Sequence, residues 1–220
     1  MPEFKALLDG YRRFRAGPYQ DQRRRYDALA AHGQKPGLMI IGCCDSRVDP
    51  AQIFDVEPGE IFVLRNVANL VPPFDDGGGL HGVSAALEFA VTQLEVHYIV
   101  IMGHAQCGGV KASLSGDFND AAVGEGFFIG EWMRMLSEER DRVTALKRTN
   151  PDIDAQRALE LAAVRVSLKN LRSFPSVRER EAAGTLRLEG TYFGIAEGIL
   201  YRLDDEDNEF KPLDPNEVGI

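Results

Sequence analysis

The chain has 220 residues, 44% of them hydrophobic and 27% charged, which is enough for one well-buried core and short for two. No run of about 18 apolar residues occurs, and Glu3, Lys5 and Asp9 interrupt the start where a signal peptide needs an apolar stretch, so a soluble cytoplasmic protein without a membrane partner is expected. A net charge of -9 and a pI near 5.0 argue against a nucleic-acid or other polyanion-binding surface.

The expected organisation is a single domain over 1–220 with a helical arm over about residues 1–31. In that arm Arg12, Arg13 and Arg15, then Arg23, Arg24 and Arg25, read as decoration of a solvated helix face. Leu38-Met39-Ile40-Ile41, Ile61-Phe62-Val63-Leu64 and Tyr98-Ile99-Val100-Ile101-Met102 are short apolar runs that do not alternate with polar residues, and they predict strands buried on both faces. Between the second and third, Leu80, Val83, Leu87, Val91 and Leu94 recur at spacings of three and four, the stripe of an amphipathic helix. Strand, helix, strand implies a parallel α/β sheet flanked by helices.

Gly77-Gly78-Gly79 reads as a local loop. A mixed helical stretch from about Glu131 to Lys147 ends at Asn150-Pro151, and Leu161, Val164, Leu168 and Leu171 mark a further helix. Leu186 and Leu188 alternate with charges between Thr185 and Phe193, which predicts a later, more exposed strand at a sheet edge. Asp204 to Glu209 reads as a solvated turn.

In open parallel sheets, ligands bind beyond the carboxyl ends of the strands, so the loops following the predicted strands are the first place to look for chemistry. Two of them hold every cysteine. The first strand runs into Gly42-Cys43-Cys44-Asp45-Ser46-Arg47 and the third into Gly103-His104-Ala105-Gln106-Cys107-Gly108-Gly109. In a chain expected to stay in a reducing compartment these thiols are metal ligands, nucleophiles or inert core residues. Two thiolates and one imidazole, from Cys43, Cys107 and His104, suit tetrahedral zinc with a fourth position open to water. His32, His81 and His97 have no second ligand at close spacing, and His81 is at most a candidate proton relay.

Cys43-x-Asp45-x-Arg47 followed by His104-x-x-Cys107-Gly108-Gly109 resembles the signature of the β-class carbonic anhydrases. Asp49-Pro50, Phe54-Asp55, Pro58-Gly59-Glu60 and Arg65-Asn66-Val67-Ala68-Asn69-Leu70-Val71-Pro72-Pro73 resemble the plant-type branch, so that the resemblance covers nearly the whole chain. It implies a β-carbonic anhydrase-like fold and the reversible hydration of carbon dioxide to bicarbonate through zinc-bound hydroxide, with Cys43, His104 and Cys107 as the zinc ligands. Cys44 stands where the family usually has a small residue and is not expected to bind the metal. Asp45 and Arg47 map to the catalytic dyad, in which the arginine holds the carboxylate ionised and oriented. The backbone N–H of Gly108 is implied as a donor to substrate oxygen.

The resemblance also places Gln34, Phe62 and Phe89 around the carbon dioxide pocket, with Val67 as a further apolar wall. Phe89 departs from the family's tyrosine. A regulated branch carries a tryptophan shortly before its first zinc cysteine; here Met39-Ile40-Ile41 occupies that neighbourhood and the only tryptophan is Trp132, so that regulation is expected to be absent. Relatives that hydrolyse carbon disulfide or carbonyl sulfide supply an alternative substrate, and a non-catalytic zinc protein is the non-enzymatic alternative. The family further implies a homodimer, or a multiple of it, in which Gln34, Phe62 and Phe89 reach the neighbouring chain's zinc. Helical Arg12, Phe14 and Arg23 near the N-terminus are then placed to embrace the partner, a spacing that also fits a plain surface helix.

Overall fold

The computed structural model describes residues 3–214. The arm is built from α1 (Phe4–Ala16), α2 (Pro18–Asp21) and α3 (Arg23–His32), and none of the three buries a residue. α3 is tied down by Arg25, which donates to the Pro58 carbonyl at 2.6 Å and pairs with Glu57 and Glu60. Among the described residues α1 has no such tether, and Phe4, Leu7, Leu8 and Tyr11 form an apolar stripe at helical spacing that stays exposed.

The body is a six-stranded sheet. β1 (Leu38–Cys43), β2 (Ile61–Asn66), β3 (Tyr98–His104), β4 (Arg187–Gly194), β5 (Ile199–Leu203) and β6 (Phe210–Pro212) lie in the order β2-β1-β3-β4-β5-β6. The first four are mutually parallel and the last two antiparallel. The mostly parallel α/β architecture expected from the unalternating apolar runs is therefore present, with β1 and β3 at its centre and nearly all buried.

Helices cover both faces: α4 (Pro50–Ile53), α5 (Gly82–Glu88), α6 (Gly108–Ser115), α7 (Phe127–Met133), α8 (Ser137–Thr149), α9 (Ala155–Leu171) and α10 (Pro175–Ala182). One core contains Met39, Ile41, Leu87, Ile99 and Ile101, with Phe62 and Leu64 packed against it; the other contains Ile40, Met102, Val110 and Leu159 with Cys43 and Cys107. The alternation of Met39 and Ile41 against Ile40 between these cores is the period-two geometry of a strand covered on both sides. α9 lies so close to β3 that a Cβ on Gly103 would stand 2.6 Å from Val164 Cγ2, which makes glycine a packing requirement there.

Three expectations need correction. The strand foreseen between Thr185 and Phe193 exists, as β4, but it is interior and largely buried; the edge on that side is β6. Its charges misled because Glu189 does not face water alone: Arg202 on β5 clamps it through two hydrogen bonds of 2.8 and 2.9 Å. The stripe from Leu80 to Leu94 is no single α-helix, because α5 passes into a π turn over Phe89–Gln93 and Leu80 precedes it, fully exposed. The stretch from Glu131 to Lys147 is split by a 3-10 turn at Arg134–Leu136 into α7 and α8. The acidic segment Asp204 to Glu209 is the exposed turn between β5 and β6, held by Lys211, which pairs with both Asp204 and Asp207. No helix among the described residues is long and apolar enough to cross a membrane.

Candidate metal centre

β1 and β3 are adjacent and parallel, so their carboxyl ends deliver Cys43 and His104 to the same end of the sheet. Gln106, with φ +55, turns the chain back after His104, and Cys107 returns as the residue preceding α6. Asparagine and aspartate tolerate this left-handed conformation better than glutamine, so the turn carries a small strain at the site. The result is a buried group in which the ligand atoms of Cys43, His104 and Cys107 lie within 4.8 Å of one another.

The donor set fits a zinc ion. Two sulfurs each about 2.3 Å from a tetrahedral ion stand about 3.8 Å apart; the Cys43 and Cys107 sulfurs are 3.9 Å apart. His104 Nδ1 donates to the Ala105 carbonyl at 2.9 Å, which leaves Nε2 as the unprotonated, metal-facing nitrogen. Nε2 is buried and has no hydrogen-bond partner among the described residues. A buried polar atom without a partner is costly, and a cation at this point would satisfy it.

The thiol chemistry points the same way. A hydrogen bond from Cys107, opposed by burial, holds the Cys43 thiol below its ordinary range. Cys107 is pushed up because its S–H serves Cys43 and because it is buried beside that charge. A cation bound between the two sulfurs would take the place of the thiol proton that links them.

Asp45 and Arg47 flank this group. Arg47 donates to both carboxylate oxygens of Asp45, from Nε at 2.9 Å and Nη2 at 2.7 Å, and its backbone N–H adds a third bond at 2.9 Å. These bonds hold the Asp45 carboxyl well below the usual carboxylate range. Arg47 Nη2 also reaches the Gln106 carbonyl at 3.0 Å, so the dyad bridges the two ligand loops. Cys44 is exposed and lies outside the ligand group.

The pocket residues divide into two sets. Gly108 is the first residue of α6, and a Cβ there would meet nothing within 4 Å. Val67 follows β2 and packs beside Gly109, where a Cβ would stand 2.6 Å from Val67 Cγ1. Both adjoin the ligand loop. Gln34, Phe62 and Phe89 do not. Phe62 pairs in register with Met39, while Cys43 pairs with Asn66, so Phe62 lies about 13 Å down the strand from the ligands. It stacks on Phe89 with ring centroids 5.9 Å apart, and Phe89 is 46% exposed. Gln34 is exposed ahead of β1, at the opposite end of the sheet from the ligands. Trp132 sits on α7 and donates to the Val67 carbonyl at 2.8 Å, while Met39, Ile40 and Ile41 are buried core.

Two residues that sequence reasoning gave no role support the ligand loops. Arg65, on β2, donates to the carbonyls of Cys43 and Asp45 at 2.8 and 2.7 Å and pairs with Asp49 at 2.7 Å. Glu160, on α9, accepts from the Cys107 N–H at 2.9 Å. Arg65 lies within the stretch that resembles the plant-type branch; Glu160 carries no comparable signal.

The chain matches the family described as Carbonic anhydrase over residues 38–200. It is 34% identical over 200 residues to β carbonic anhydrase 3 of Arabidopsis thaliana, covering 90% of this chain and 76% of that protein. Among solved structures it is similar to the β-carbonic anhydrase CcaA, at 30% identity and a TM-score of 0.87 over 96% of this chain and 92% of that one. It is also similar to a tetrameric β-carbonic anhydrase of the filamentous ascomycete Sordaria macrospora, at 29% identity and a TM-score of 0.78 over 91% and 96% of the two chains. With its mostly parallel sheet and its buried Cys-His-Cys group, the chain belongs to the β-carbonic anhydrases, a family of zinc enzymes.

Proposed function

We propose that this enzyme catalyses the reversible hydration of carbon dioxide to bicarbonate and a proton, with one zinc held by Cys43, His104 and Cys107. The carrying observation is the buried ligand group, with the unpartnered His104 Nε2 facing it and the Asp45–Arg47 pair beside it. Zinc supplies a Lewis acid that brings the deprotonation of water close to neutral pH. Asp45, kept ionised by Arg47, accepts a hydrogen bond from the attacking water and so fixes its orientation. The Gly108 N–H, in the first turn of α6 where no intrahelical acceptor exists, donates to a substrate oxygen, and Val67 presents an apolar wall to carbon dioxide. The paired Asp45 and the absence of a tryptophan among Met39, Ile40 and Ile41 support an open rather than a regulated site.

A second copy completes the pocket in this reading. Gln34, Phe62 and Phe89 cannot serve their own chain's ligands, yet Phe62 belongs to the edge strand β2 and is only partly buried, Val63 on that strand is exposed, and Phe89 is open to solvent beside Phe62. A two-fold partner docked on this edge brings each copy's aromatic pair and glutamine toward the other's metal. The exposed α1 stripe then has a surface to cover, and the tetramer of the Sordaria macrospora relative is consistent with an assembly of such dimers. Arg12 and Arg23 are paired locally with Asp9 and Asp27, so the apolar stripe is the main adhesive of the arm. The need for free thiols at the ligand positions favours a reducing, cytoplasmic setting.

The test is the rate of carbon dioxide hydration before zinc removal, after it, and after zinc is restored, beside a sulfide-release assay with carbonyl sulfide and carbon disulfide. Hydration that follows zinc supports the reading. Sulfide release without hydration would move the substrate, and hydration unaffected by chelation would remove the metal.

A further inference from the structure

A buried carboxylate stands behind the second thiol. Glu160 is 3% exposed, and both of its oxygens are occupied. Oε1 accepts from the Cys107 backbone N–H at 2.9 Å and from Gln156 Nε2 at 3.0 Å, while Oε2 accepts from the Tyr192 hydroxyl at 2.8 Å. Tyr192, itself 1% exposed, is kept a protonated donor, since burial and the neighbouring Glu160 raise its pKa. Burying a carboxyl group costs free energy unless every oxygen is bonded, and here three donors from three elements of the fold converge on it.

The target of this arrangement is one backbone group. Cys107 precedes α6, and its sulfur stands 3.9 Å from the Cys43 sulfur. Its own N–H points the other way, into the core, and Glu160 is the group that meets it. With its N–H held from the core and its sulfur against Cys43, the residue has little freedom left to turn its thiol away from Cys43 and His104. Cys43 is secured in the same manner by a charged side chain from another element, Arg65 on its carbonyl.

We infer that Glu160 is a positioning residue for the metal: by holding the Cys107 N–H at a fixed reach from α9, it keeps the Cys107 sulfur at the ligand point. This rests on the reading of Cys107 as a ligand. The claim concerns reach, so it separates two conservative variants. Glu160→Gln keeps an oxygen at the same distance, whereas Glu160→Asp keeps the carboxyl group but withdraws it by one methylene.

The experiment measures zinc release from the purified holoenzyme into excess chelator, together with the thiolate-to-metal absorption of the cobalt-substituted protein. Release from Glu160→Gln within about threefold of wild type, release from Glu160→Asp at least about tenfold faster, and a displaced cobalt band only in the latter are the expected results. Equal release from Glu160→Asp and wild type, or Glu160→Gln as leaky as Glu160→Asp, would overturn the inference. Should Glu160→Asp fail to fold, Tyr192→Phe decides: it removes one of the three anchors, and release should quicken several-fold, whereas unchanged release would count against the role. Wild-type protein that binds no zinc would instead defeat the ligand reading itself.

Discussion

The ligand loops and the β2 edge are built from the same sheet but stand in opposite conditions. Beyond the carboxyl ends of β1 and β3, one chain brings together three ligands, a dyad and the carbonyl and amide contacts that fix them, all buried or interlocked. Along β2 the aromatic pair Phe62 and Phe89 is gathered but left half open, about 13 Å from the chemistry expected to need it. The proposed shared pocket accounts for this contrast: the ligand group is gathered within one chain, and a second copy supplies the enclosure.

The largest effect that would sharpen this contrast is at the ligands. Cys43→Ser and Cys107→Ser should each lose both zinc and hydration activity, with Cys44→Ser keeping both, as read by metal analysis and a hydration assay. Zinc retained by Cys43→Ser and lost by Cys44→Ser would shift the ligand by one residue. Next comes the edge. Val63→Lys places a charge on the exposed face of β2 and should give monomers that retain one zinc per chain but lose about a hundredfold or more in rate. A fully active monomer by light scattering and assay would break the comparison.

A smaller effect belongs to the dyad. Asp45→Asn should slow hydration by about 10- to 100-fold while leaving zinc bound. Because the folded carboxyl is held below its unfolded value, its stabilisation is fully present above about pH 4 and is lost only as pH falls through the depressed folded value. The stability difference between variant and wild type should therefore be the same at about pH 6 and about pH 8 in denaturant titrations. The wild-type rate should fall gradually with acid, and an abrupt cooperative loss with Asp45 on the metal would contradict the open site. The smallest effect is expected at Phe89→Tyr, which restores the family's hydroxyl at an already exposed ring and should change the rate by less than about threefold.

The parts that sequence made legible are those where one physical cause leaves one pattern. Strands covered on both faces have no polar alternation, which exposed β1, β2 and β3, and a metal group needs particular side chains at loop ends, which exposed Cys43, His104 and Cys107. β4 was misjudged because a charge paired across the sheet, Glu189 with Arg202, has the same letter as a charge facing water. β5 and β6 are short and outside any period, and the π turn at Phe89–Gln93 breaks the helical spacing without a marking residue. Glu160 was invisible for a different reason. It is one acid on a helix whose burial is decided by packing between α9, α6 and β4, and nothing in its neighbours announces that Cys107 and Tyr192 will meet it.

The shared pocket is tested most directly by complementation. Gln34→Ala chains, with intact ligands, are mixed with Cys43→Ser chains, which lack zinc but carry an intact Gln34, and subunits are allowed to exchange. Random exchange makes half of the dimers mixed, each with one site that combines an intact metal and an intact Gln34, so activity should recover to about a quarter of wild type. Efficient exchange with no recovery would show that each chain serves its own metal alone, and would contradict the account.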